Sequence, residues 1–192
     1  MVATVALVQL AGMLPPAPAS PGSSDGGGLL ARGEPVPDIT GPTLDGQAFD
    51  LTSLRGRPVI VNFWGPSCVP CRDEFPLLLD KLGAHASDRL AVVGVLMYDA
   101  PAPARDFVAQ YSATWPTVED PSGAIRNAYR VAARPQSYFI DRDGILRSIQ
   151  VGQLTDAEFE RQYALIAGEP AGGGATPNGG RLQPSTEIPP AP

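Results

Sequence analysis

Two rhythms of apolar and polar positions run through the middle of the chain. Val59 to Phe63 and Leu90 to Met97 are short, near-continuous apolar runs rich in β-branched residues. That is the pattern of strands covered on both faces. Trp115 to Val118 reads as a short edge strand. Ser137 to Ile140 and Ile145 to Ile149 read as a strand pair turning on Asp141 to Gly144. Helical spacing occupies Arg72 to Ala84, Ala104 to Tyr111, Ala124 to Tyr129, and the stretch from Thr155 to about Ala167. Thr155 and Glu158 fit a capping box at the start of the last helix. Pro76, inside the first, is expected to kink it or end its first section. Ahead of these, Pro35 to Ile39 is extended and Thr43 to Phe49 is a small hairpin turning on Asp45-Gly46. Thr52 to Arg57 makes a turn or a single helical turn.

The element order is therefore β-α-β-α-(β)-α-β-β-α. Strands separated by helices imply parallel crossovers, and the last two strands imply an antiparallel hairpin. The expected fold class is α/β, a central mixed sheet with helices on both faces, over residues 33–167.

Both ends change in character. Met1 to Leu14 is apolar but shorter than a membrane span of about 20 residues. With Ala17-Pro-Ala19 behind it, it reads as the core of an export signal or anchor, although no positive charge precedes it and Arg32 is the first basic residue. A Pro/Gly/Ser linker completes residues 1–32. Residues 168–192 carry six prolines and a Gly-Gly-Gly run and read as a disordered tail. This organisation places the domain outside the cytoplasm, membrane-tethered or secreted.

The net charge of −6 and the lack of a basic patch exclude nucleic acid as an expected partner. The only two cysteines, Cys68 and Cys71, stand two residues apart between the first strand and the first helix. Three chemistries fit such a pair. Zinc usually takes four ligands, and His85 is the only histidine, so no metal or other cofactor is expected. A structural bridge over so short a loop constrains little of the unfolded chain. A redox pair has a physical rationale here. Unpaired N–H groups and the dipole at a helix start stabilise a thiolate, the form that attacks disulfides. Cys68, at or just before the helix N-cap, is then the attacking residue, and Cys71, one turn further in, resolves the mixed disulfide. Pro70 stiffens the turn between them and removes one N–H, which leans towards a reductant.

Phe63 to Arg72, with Glu74-Phe75-Pro76 behind it, resembles the active-site segment of the extracytoplasmic TlpA/ResA/CcmG-like thiol–disulfide oxidoreductases. The likeness continues through Val92 to Val95, the helix around Phe107, Asp120 to Gly123, Tyr129, Arg134 to Gly144 and Val151-Gly152. It implies a thioredoxin-like fold with an N-terminal hairpin and a central helix-containing insertion. It also implies that Pro135 is a cis-proline beside the cysteines that binds substrate backbone. Trp64, Pro70, Arg134 and Pro135 are the expected substrate-binding residues. Trp64 is expected to pack beside the cysteines and shield them. Arg134 is expected to face the site, where a cation favours the Cys68 thiolate; its plain alternative is a solvated surface arginine.

Two positions depart from the family pattern. Asn62 stands where cytoplasmic thioredoxins resemble one another in having a buried acid, and Ser67 stands where many relatives have tryptophan. Glu74 reads as a surface carboxylate complementing the helix dipole, and His85 as an exposed residue past the helix end. The resemblance implies a monomer acting on disulfide-containing or dithiol proteins and re-reduced by a membrane thiol donor. Reduction of apocytochrome c is the family-level expectation. The alternatives are an oxidase or isomerase of secreted proteins and, further off, a thioredoxin-like copper chaperone. A peroxiredoxin would need threonine at position 65, where this chain has glycine.

Overall fold

The computed structural model describes residues 28–168. The expected export segment, most of the linker and all but the first residue of the tail lie outside the described residues. Among the described residues no helix is long and apolar enough to cross a membrane.

The chain enters along an extended segment and forms the hairpin β1 (Thr40–Pro42) and β2 (Ala48–Asp50) around Asp45-Gly46. A single 3-10 turn follows at Leu51–Leu54, capped by the Asp50 side chain. Then come β3 (Val59–Trp64), α1 (Val69–Ala84), β4 (Ala91–Leu96), α2 (Pro101–Gln110), β5 (Thr117–Glu119), α3 (Ala124–Ala128), β6 (Gln136–Ile140), β7 (Leu146–Val151) and α4 (Asp156–Tyr163). Every strand and helix expected from the apolar pattern is present. The main sheet has the order β5-β4-β3-β6-β7.

One expectation of topology is overturned. β3, β4 and β5 are parallel, but β6 runs antiparallel to β3 although α3 precedes it. The reason is length. A five-residue helix spans about 7 Å, whereas a six-residue strand spans about 20 Å. α3 is too short to span the sheet as a crossover helix does, and β6 enters from the end at which β5 stopped.

Strand alternation sorts the core into two layers. Ile60, Trp64, Val92, Leu96 and Phe139 face α1, α2 and α4. Val59, Val61, Phe63, Val93, Val95 and Tyr138 face Ile39, Leu51 and Tyr129, contributed by the N-terminal segment and the end of α3. The first layer centres on Phe75 of α1. Its ring lies 5.0 Å from Trp64, 4.9 Å from Phe107 and 4.7 Å from Trp115, centroid to centroid. These contacts pin the inserted helix α2 against the element that carries the cysteines. Gly94 makes room for the indole: a Cβ there would lie 2.7 Å from Trp64 Nε1.

α1 runs through Pro76 as one helix, so the proline does not end it. The expected capping box is present at α4, where Thr155 and Glu158 satisfy each other's N–H groups. α4 ends at Tyr163, short of the expected Ala167, and a turn carries the buried Ile166.

Phe75→Ala should cost about 3–5 kcal/mol, the range for truncating a fully buried aromatic. Denaturant unfolding of the oxidised protein measures it, and a loss under 1 kcal/mol would mean that the ring cluster is not the keystone of this layer.

Candidate active site

β3 ends at Trp64, and the turn Gly65-Pro66-Ser67 delivers Cys68 to the N-cap of α1. Cys68 has extended backbone angles (φ −88°, ψ 108°), and its sulfur accepts the Cys71 N–H at 3.3 Å. A sulfur thus occupies the place of the usual capping oxygen and satisfies one of the free N–H groups of the first turn. Cys68 and Cys71 are joined as a disulfide. Cys68 is 7% exposed and Cys71 2%, so the N-cap sulfur is the one an incoming group reaches first. Pro70 takes the second helical position, where an N–H has no intrahelical partner. It is exposed beside Val69.

Opposite Cys68 lies the loop before β6. The Arg134–Pro135 peptide is cis, as the resemblance implied, and the Arg134 carbonyl oxygen is 3.6 Å from Cys68 Sγ. Gln136 holds this loop from inside. Its Oε1 accepts the Ala132 N–H at 2.9 Å, and its Nε2 donates to the Tyr138 hydroxyl. That hydroxyl donates to the Tyr129 carbonyl at 2.6 Å.

Arg134 is neither a free cation facing the cysteines nor a solvated surface residue. Its Nη1 pairs with Asp99 Oδ2 at 2.6 Å and donates to the Met97 carbonyl; its Nη2 donates to Ser67 Oγ at 2.8 Å. Ser67 Oγ in turn donates to Asp99 Oδ2 at 3.0 Å. Trp64 is fully buried in the layer that holds both cysteines. Its ring packs on Phe75 and Phe107 and offers no surface to a substrate in this oxidised form.

Glu74 departs furthest from expectation. It is 1% exposed, not a surface carboxylate. Three residues beyond Cys71, it shares that residue's buried face of α1. Asn62 Nδ2 donates to its Oε1 at 2.9 Å, and the Leu154 N–H donates to its Oε2 at 2.7 Å. Asn62 also donates to Ser137 Oγ at 2.9 Å. Burial pushes the Glu74 carboxyl up to about 7, and the two donors oppose the rise without cancelling it. The buried acid missing at position 62 is thus supplied from the helix, with Asn62 as its donor.

His85 is half-buried rather than exposed. It caps the far end of α1 and packs on Tyr163, with ring centroids 3.9 Å apart. Sixteen residues of helix separate the two ends, about 24 Å, so His85 and Cys68 form no joint metal site.

The AhpC/TSA family profile matches residues 32–149. Thioredoxin-like protein YneN of Bacillus subtilis is 34% identical over 139 residues, 71% of this chain and 81% of that protein. Thiol-disulfide oxidoreductase ResA of Geobacillus kaustophilus is 29% identical over 137 residues, 71% and 79% of the two chains. Among solved structures, a putative thiol:disulfide interchange protein DsbE from Chlorobium tepidum superposes with a TM-score of 0.67 at 29% identity. The superposition covers 72% of this chain and 99% of that one. The sheet order, the N-terminal hairpin and the inserted α2 are those of the thioredoxin-like fold that the resemblance implied.

The buried acid has a consequence for stability. Its pKa is raised from 4.5 unfolded to about 7 folded. Between those values the folded chain keeps a proton that the unfolded chain releases, so stability falls as pH rises through the window. The loss is on the order of 3 kcal/mol by pH 8. Glu74→Gln should flatten this slope, as urea unfolding of the oxidised protein at pH 5 and pH 8 would record; an unchanged slope would assign the titration elsewhere.

Proposed function

The chain belongs to the AhpC/TSA family and is a thiol–disulfide oxidoreductase of the ResA and DsbE type; on that premise we propose that it reduces protein disulfides outside the cytoplasm through Cys68 and Cys71. The Cys68 thiolate attacks one sulfur of a substrate disulfide, forming a mixed disulfide and releasing the first substrate thiolate. Cys71, deprotonated, attacks Cys68 and releases the second. The substrate gains two electrons and two protons, and the enzyme is left as the Cys68–Cys71 disulfide. A membrane thiol donor returns the two electrons.

The observation that carries this reading is the unequal placement of the two sulfurs. One is at the helix N-cap beside the cis-Pro135 loop, and the other is buried one turn in. The loop wall at Arg134–Pro135 and the exposed Val69-Pro70 edge are where substrate backbone lies, with Pro70 and Pro135 in contact with it. Glu74 is the group that takes and returns the Cys71 proton, because it shares that face of α1 and its carboxyl changes state near pH 7. Pro70, which withholds an N–H from the thiolate, supports the reducing direction.

The apolar start ahead of a Pro/Gly/Ser linker supports a domain at residues 33–167 exported or tethered through residues 1–32, with residues 168–192 as a spacer. Apocytochrome c, whose paired cysteines must be reduced before haem attachment, is the substrate this reading favours. The enzyme acts as a monomer.

The reduction potential of the pair decides the direction. A value near about −270 mV supports the reductant, whereas one near about −120 mV makes the protein a disulfide-forming oxidase. Cys71→Ser should trap the substrate through Cys68, visible as a covalent adduct on non-reducing gels. Trapping through Cys71 in Cys68→Ser would reverse the assigned roles.

A further inference from the structure

Two opposite charges sit on the residue next to the reactive sulfur, and the redox cycle above uses neither. The Arg134 guanidinium hydrogen-bonds Ser67 Oγ, and the Arg134 carbonyl approaches Cys68 Sγ. An uncompensated cation so placed would favour the Cys68 thiolate. Asp99 changes that outcome. Its carboxylate, 12% exposed, meets the guanidinium at 2.6 Å and also accepts from Ser67 Oγ at 3.0 Å and Ser67 N at 3.4 Å. The two charges are thus fixed to one another and to the same serine.

The chain is built to allow this closeness. Gly65 is buried beneath the pair, and a Cβ there would collide with Asp99 Oδ2 and Arg134 Nη1 and sit 2.9 Å from the Met97 carbonyl. Glycine is required by the ion pair lying on the backbone, since its φ is not in the left-handed region. Tyr98, adjacent to Asp99 and 70% exposed, lies under the Arg134 guanidinium at 5.7 Å and under Arg126 at 4.9 Å.

Besides Tyr98 and Arg126 at the far side of the guanidinium, Cys68's own helix adds ionisable groups among the described residues. These are Cys71, the exposed Arg72 and Asp73, and Glu74 behind the pair. Among the described residues, Arg134 and Asp99, from the loops before β6 and after β4, are the charged groups tied to the residue beside the sulfur.

We propose that Asp99 is a positioning residue for the redox reaction: it binds and neutralises the Arg134 guanidinium beside Cys68 and so limits stabilisation of the Cys68 thiolate. The consequence is a more reducing pair. The purpose of the device rests on the reductant reading; the direction of its effect does not.

Asp99→Asn keeps an oxygen that can accept from Arg134 and removes the charge. In the reduced full-length protein, the Cys68 thiolate is followed against pH by its ultraviolet absorbance, alongside the equilibrium with glutathione. Asp99→Asn should raise the thiolate-to-thiol ratio about tenfold at a fixed pH below the pKa and shift the equilibrium towards the reduced protein. Arg134→Gln should move both quantities the other way, Arg134→Lys should restore the parent's direction, and the double variant Asp99→Asn/Arg134→Gln should return close to the parent. A merely structural role would lower the thermal midpoint without opposite shifts in the pKa. Shifts of the same sign in both single variants, or changes below about twofold in each, overturn the proposal. If one single variant does not fold, the sign of the other decides. The potential of the unaltered protein tests the reductant reading, while differences among variants test Asp99, so either can fail alone.

Discussion

The structure depends on a sulfur standing in for a capping oxygen. α1 begins almost where β3 stops. Four residues make that turn, and the last of them is Cys68. The free N–H groups of the first turn need a partner, and Cys68 Sγ accepts one of them. Fold stability and thiolate chemistry therefore draw on the same group. The cap that starts the helix is also the atom that reacts, and each redox state changes how well that cap accepts a hydrogen bond.

Around this junction the chain arranges polar groups by depth. On the surface side, Ser67, Asp99 and Arg134 form a closed set of opposite charges over Gly65. On the core side, Asn62, Glu74, Ser137 and the Leu154 N–H form a second set. The outer set is fully charged and compensated. The inner set carries a carboxyl balanced between its two states near neutrality, because burial opposes the charge and its donors favour it. The disulfide lies between them, so the two cysteines face different electrostatic surroundings although only two residues separate them.

Much of this was legible in the chain. The β-branched runs identified β3 and β4, and the Asp-Gly turns identified both hairpins. The cysteine pair between a strand and a helix identified the reactive centre. The reversal at β6 was missed because helical spacing at Ala124 to Ala128 says that a helix exists and not whether it is long enough to return the chain. Glu74 was misread as a dipole-complementing surface residue although the signal was present. Cys71, Glu74, Phe75, Leu78 and Lys81 repeat at three and four residues and form one buried stripe. Position on the stripe decides burial, and chemical type decided the misreading. Lys81 follows the same logic, buried and paired with Asp156 and Glu160 of α4. Asp99 left no comparable signal, since only the fold brings the end of β4 beside residue 134. Its trace in the sequence is indirect: a glycine at position 65 whose turn does not need one for its backbone angles.

The aromatic cluster on Phe75 has a use beyond packing. The chain contains two tryptophans, Trp64 and Trp115, and both belong to the apolar layer that also holds the disulfide. An excited indole beside a disulfide passes an electron to it and loses its emission, and an indole beside two thiols does so less. Trp64 is held in that layer by Phe75 and Phe107, so its emission reports on the packing that anchors α2 beside the pair.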